Sequence, residues 1–179
     1  ALAQVFVADE TGWKLSTTRA AAAFAAWLDV VITRAETAVL LDFLKSPYLL
    51  AELENKSAQV MAIELALRSA NVSGGWNAAA AALQNMPLES ALLSQLKEVA
   101  DRFSSKAKSL EEWITITQEA LDALHMRIPL QQDAAGEQVL QLLENVQQNC
   151  VDLDHSFSFA EWRAFVNLQL ESTSFIAPV

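Results

Sequence analysis

From Ser16 to Glu171 apolar side chains recur every three or four residues, and at both ends of the chain that rhythm stops. Ala3-Gln4-Val5-Phe6-Val7-Ala8 reads as a short apolar strand. An acidic turn with one glycine follows, Asp9-Glu10-Thr11-Gly12, and then a helix start. Thr173-Ser174-Phe175-Ile176-Ala177-Pro178-Val179 is strand-like again. Unpaired strand edges recruit partners. A helical block between two strand stubs therefore has the pattern of an insertion into a larger α/β protein, and an opening on Ala1 rather than Met fits a piece of one. The two ends are expected either to lie together on one side of the helical body or to pair with a second copy of the chain, giving a homodimer.

The 179 residues are 53% hydrophobic, with only 4 Gly and 4 Pro, and Ala and Leu dominate. This composition predicts an all-α fold of about eight helices, long enough to bury a real core. The formal net charge of −10 opposes binding to phosphate backbones unless basic residues cluster. One loose cluster occurs, Lys97, Arg102, Lys106 and Lys108, and these are the candidate DNA contacts. The lone cysteine, Cys150, cannot form an internal disulfide, and with no leader-like start this reads as a cytoplasmic location. The longest apolar run, Ala20 to Leu28, is too short for a bilayer, so no membrane partner is expected.

Ser16 or Thr17 is placed as the cap of a helix to about Thr33. Further helices are predicted from Glu36 to Lys45, from Pro47 to Leu53 behind Ser46, and from Asn55–Ser57 to Ala70. Asn71 to Gly75 is the clearest break. Beyond it come helices from Trp76 to Gln84, from Pro87 to Phe103, from a Ser109-x-x-Glu112 capping box to His125, from Asp133 as cap to Asn149, and from a Ser158-x-x-Glu161 box to Leu170. Ser104 to Lys108 and Arg127 to Gln132 read as linkers.

Val5-Phe6-Val7-Ala8-Asp9-Glu10 has the form of a Walker B strand, in which Asp holds Mg²⁺ and Glu polarises water. No phosphate-cradling glycine loop accompanies it, so a strand end with an acidic turn is preferred. Asp152, Asp154 and His155 are near neighbours without further ligands at metal spacing, and a solvated loop is preferred; no metal site is predicted. Cys150 continues the stripe of Val139, Leu142, Leu143 and Val146, which favours burial over nucleophilic use. Among Trp13, Trp27, Trp76, Trp113 and Trp162, four sit at helix starts or on apolar stripes, where core anchoring is the favoured reading. Trp13, in a polar turn, is the one retained as a contact residue. No catalytic residue is assigned.

Four stretches resemble a known family. They are Val7-Ala8-Asp9-Glu10-Thr11-Gly12-Trp13-Lys14-Leu15-Ser16-Thr17-Thr18-Arg19-Ala20-Ala21-Ala22, Leu40-Leu41-Asp42-Phe43-Leu44-Lys45-Ser46-Pro47-Tyr48-Leu49, Gly74-Gly75-Trp76, and Phe159-Ala160-Glu161-Trp162-Arg163-Ala164-Phe165-Val166 onward to Glu171, with Phe175 after it. They are similar, in the same order, to segments of bacterial PD-(D/E)XK nuclease family proteins, helicase–exonucleases related to AddB-type subunits. The resemblance implies residues 1–15 as strand and turn of a RecA-like host domain, 16–171 as a helical insertion of the superfamily 1 helicase 2B type, with lobes 16–73 and 74–171, and 172–179 as the return strand. It further implies a non-catalytic accessory domain in a DNA-repair exonuclease whose ATP and Mg²⁺ sites lie outside this chain. The implied partners are the rest of that protein and, through it, DNA. Asp9, Glu10, Gly12 and Trp13 match the family's motif as positions of unassigned role. A stand-alone helical protein-interaction module is the alternative.

Overall fold

The computed structural model describes residues 12–103, 106–150 and 154–178. Three helix ends show how a chain so poor in glycine reverses direction. After α1 (Arg19–Ile32) the Arg34 N–H bonds the Val31 carbonyl and the Ala35 N–H bonds that of Val30. After α3 (Lys56–Ser69) Asn71 and Val72 repeat the pattern on Arg68 and Leu67. After α6 (Leu110–Ala123) His125 and Met126 repeat it on Asp122 and Leu121. Each is a Schellman closure, which satisfies carbonyls orphaned at a helix end and requires a left-handed residue one position past the cap. Arg34, Asn71 and His125 take that role, at φ 54°, 52° and 53°. Arg34→Gly is expected to raise stability by about 0.5–1 kcal/mol, because a side chain in this region is strained; urea unfolding measures it.

The remaining helices are α2 (Thr37–Leu44), α4 (Trp76–Ala82), α5 (Pro87–Asp101), α7 (Arg127–Gln131), α8 (Ala134–Gln148) and α9 (Phe159–Ser172). Both predicted capping boxes form: Ser109 Oγ accepts from the Glu112 N–H at 3.2 Å, and Ser158 Oγ accepts from that of Glu161 at 3.1 Å. Their glutamates reach back to the Ser109 and Ser158 N–H groups. α1 packs against α2, α8 and α9; α3 against α2, α4 and α5; and α7 against α8. Buried residues from both sides of the Asn71–Gly75 break belong to one hydrophobic cluster. The domain is an all-α multi-helix fold with, among the described residues, two short strands, β1 (Trp13–Lys14) and β2 (Ser174–Phe175).

Four sequence expectations are corrected. The cap of α1 is Thr18, whose hydroxyl accepts from the Ala21 N–H at 3.3 Å; Ser16 and Thr17 lie in a 3₁₀ turn, Leu15–Thr17. Pro47 to Leu53 is not helical. Leu50 sits at φ 45° and gives its N–H to the Leu124 carbonyl, while Lys56 Nζ takes the Ser46 and Leu49 carbonyls at 2.5 Å each. Burial of Leu49 and Leu50 outweighs the local helix signal. Arg127 to Gln131, read as a loop, is the short helix α7. Pro129 is its third residue, where a missing N–H has no helical partner to lose, and Leu130 is fully buried. Asp133 precedes α8, but its side chain makes no capping bond.

The Asp133 carboxylate instead accepts from the Tyr48 hydroxyl at 2.6 Å. Burial, then this hydrogen bond and the Asp133 charge, push the Tyr48 pKa up from 10.0 to about 12. The folded state thus holds the proton more tightly than the unfolded chain. The associated stability is present below pH 10 and is lost as pH rises towards about 12. Tyr48 is the chain's single tyrosine, so tyrosinate absorbance reports it alone. Rapid-mixing titration is expected to give a midpoint of about 12, and Asp133→Asn is expected to move it down towards the ordinary value.

Candidate functional site: the strand junction and the basic cluster

The segments that flank the helical body on either side meet at one place. β1 and β2 are antiparallel neighbours, Trp13 facing Phe175 and Lys14 facing Ser174, and the Leu15 N–H extends the ladder to the Thr173 carbonyl at 2.8 Å. Gly12 allows this. A Cβ on Gly12 would lie 2.7 Å from the Phe175 carbonyl oxygen, closer than such atoms approach. Leu15 is fully buried and anchors the entry strand. The Thr17 and Thr18 hydroxyls tie the turn by donating to the Lys14 and Leu15 carbonyls, each at 2.7 Å. Trp13 is 77% exposed and Ile176 74% exposed, so the junction presents two apolar side chains to solvent. Asp9, Glu10 and the predicted strand Ala3–Ala8 lie outside the described residues, as does Asp152.

Residues 40–49, 74–76 and 159–171 are held by contacts across the helical body. Leu44 is buried, Lys45 pairs with Glu64 at 2.8 Å, and Ser46, Tyr48 and Leu49 hold the loop already described. That pairing with Lys45, followed by Arg68, holds the Glu64 carboxyl below the usual carboxylate range. Gly74 bridges Glu36 in antiparallel fashion, and Gly75 turns at φ 102°. Arg163 on α9 pairs with Asp29 on α1 at 2.6 Å. Trp162 gives its indole N–H to the Thr117 hydroxyl at 3.1 Å, and that hydroxyl donates to the Trp113 carbonyl. Trp27, Trp113 and Trp162 are buried and Trp76 is half-buried at the head of α4, as the apolar spacing predicts.

Two of the four basic residues are engaged within the domain. Lys97 is bonded to Asp101 at 2.9 Å, one helical turn on. Lys108 Nζ stands 4.6 Å from the centre of the Trp113 ring and donates to the Lys106 carbonyl at 3.3 Å. Arg102, at the end of α5, and Lys106 extend into solvent. Among the described residues no group of three His, Cys, Asp or Glu is arranged to hold a metal ion. His125 serves the helix closure, and the exposed His155 ring lies edge-on to Phe157 at 4.8 Å.

A groove of about 440 Å³ opens between α8 and α9. Sequence reasoning did not single it out, although the spacing of Gln138, Gln141, Asn145 and Asn149 along α8 was a readable signal. Cys150 lies half-buried on its wall, where burial and then Glu111 raise the thiol pKa. Among the described residues no helix is long and apolar enough to cross a membrane. No family model matches the chain, and no curated protein or solved structure shows significant similarity to it.

Proposed function

We propose that this chain is a non-catalytic helical insertion domain of a DNA-repair helicase–exonuclease related to AddB-type subunits, resembling the 2B subdomain of superfamily 1 helicases. The antiparallel pairing of β1 with β2 carries the reading. An insertion leaves and re-enters its host at neighbouring points, and here entry and exit are hydrogen-bonded to each other. The family-like stretches support it as segments that tie the helical body together, through Lys45 with Glu64, Gly74 with Glu36 and Arg163 with Asp29. Met61 and Leu65, 71% and 67% exposed one turn apart on α3, give the domain an apolar face for packing against motor or nuclease domains.

The isolated chain is expected to turn over neither ATP nor DNA with Mg²⁺ or Mn²⁺. Turnover that survives repurification and is abolished by Asp9→Ala/Glu10→Ala would overturn the non-catalytic reading. DNA binding is expected to be no tighter than roughly 10⁻⁴ M at physiological salt. Lys97 and Lys108 are already engaged within the domain, so neutralising Arg102 or Lys106 is expected to flatten the salt slope by about 1. In the full-length parent, replacing residues 16–171 with a short Gly-Ser linker is expected to preserve nuclease activity on single strands and reduce processing of duplex DNA. Undiminished duplex processing would count against the proposal.

A further inference from the structure

The groove between α8 and α9 is lined by carboxamides. Gln138, Gln141, Asn145 and Asn149 follow one another at three- and four-residue steps along α8, and Gln169 faces them from α9. Leu142, Val146 and Phe165 make its apolar floor. Among the described residues no Lys, Arg, Asp or Glu lines this groove, and the nearest charge marked on its wall is that of Glu111 on Cys150. Five amides over an apolar floor make a specific chemical surface. A carboxamide offers the donor and acceptor of a peptide group, so a row of them matches extended main chain, whose N–H and C=O groups alternate in direction. Phosphate and carboxylate ligands are held most strongly by cations, and among the described residues no Lys or Arg lines the groove.

One rung of the row is already used in this way. Gln138 Nε2 donates to the Ile176 carbonyl at 3.0 Å, just beyond β2, so an extended backbone rests at one mouth of the groove. Further along, the amides bond sideways. Gln141 Nε2 donates to Asn145 Oδ1 at 3.0 Å, and Asn149 Nδ2 donates to the Asn145 carbonyl at 2.9 Å. These bonds can be exchanged for bonds to a peptide at little net cost, since donor and acceptor types stay the same. The apolar floor takes the side chains that an extended strand directs to one side.

We infer that this groove binds an uncharged, extended segment of a partner polypeptide, laid along α8 as a continuation of the backbone contact that Gln138 makes with Ile176. The inference rests on the groove alone and not on the helicase reading. Because recognition is of main chain, any uncharged extended peptide serves as a probe. The natural choice is the capped hexapeptide acetyl-Thr-Ser-Phe-Ile-Ala-Pro-amide, which copies residues 173–178.

The test is a titration of the ¹⁵N-labelled chain, read at its side-chain amide resonances, with this peptide and separately with a six-residue oligothymidylate. The peptide is expected to shift the Gln141, Asn145, Asn149 and Gln169 resonances saturably, with a Kd of about 1 mM or tighter. Asn145→Leu is expected to weaken binding at least about tenfold. If that variant does not fold, Gln141→Leu, at an exposed position, makes the same test. No saturable shift with the peptide would overturn the inference. So would affinity unchanged in the folded variant, or shifts of these resonances by the oligothymidylate but not by the peptide.

Discussion

Gly136→Ala is expected to destabilise the fold by about 3 kcal/mol, as much as a single added methyl can cost in a closely packed site. Gly136 lies in the first turn of α8, where α7 crosses it with no room for a side chain. A Cβ there would overlap the Leu130 carbonyl oxygen and lie 2.7 Å from the Leu130 Cα. These are backbone atoms, fixed by α7 and by the full burial of Leu130, so they cannot rotate aside. Gly75→Ala is the informative comparison. Its Cβ meets nothing within 4 Å, and its cost comes only from φ 102°. Chemical denaturation of the two variants separates steric from conformational cost, and a Gly136→Ala protein as stable as the parent would refute the close α7–α8 packing.

Phe103→Ala is expected to cost about 4 kcal/mol. Its ring is 3% exposed and stands 6.0 Å from Trp27, 6.4 Å from Trp113 and 5.6 Å from Phe159. It therefore joins α1, α6 and α9 just beyond the end of α5, and its removal leaves a void between elements far apart in sequence. Aromatic neighbours identify what holds the cluster. Trp113 gives its indole N–H to the Phe157 carbonyl at 2.8 Å, whereas the buried Trp27 indole N–H has no hydrogen-bond partner among the described residues. Replacing Trp113 by Phe thus strands an acceptor as well as changing shape, and Trp27→Phe loses only shape. Thermal unfolding of the three variants should rank Phe103→Ala as the most destabilised and Trp27→Phe as the least.

These costs fall on residues whose partners are remote, and the same distinction separates what was legible in the sequence from what was not. The helices over 19–32, 56–69, 87–101 and 159–172 were readable, because helix formation depends on side chains three and four residues apart. The capping boxes at Ser109 and Ser158 were readable for the same reason: both partners sit within one turn. The strand-like character of both ends was visible as well, but not the register that sets Trp13 against Phe175.

Residues whose local signal competed with a distant partner were misread. Ser46-Pro47 has the form of a helix start, but Lys56 and Leu124 claim the hydrogen-bonding groups that a helix would have used. Asp133 has the form of a cap, but Tyr48, distant along the chain, takes its carboxylate. Gly12 was a motif position without a role until Phe175 was seen against it. In the groove, the amide spacing on α8 is a property of the sequence, while Gln169 opposite it and the Ile176 backbone at its mouth come from the packing of α9. By itself the sequence determined the helical class, the main helices with the two capping boxes, and the acidic, glycine-poor composition. The tertiary structure alone decided which turns remain loops, where entry and exit meet, and which polar side chains share a groove, because each of those depends on groups that only the folded core brings within hydrogen-bonding distance.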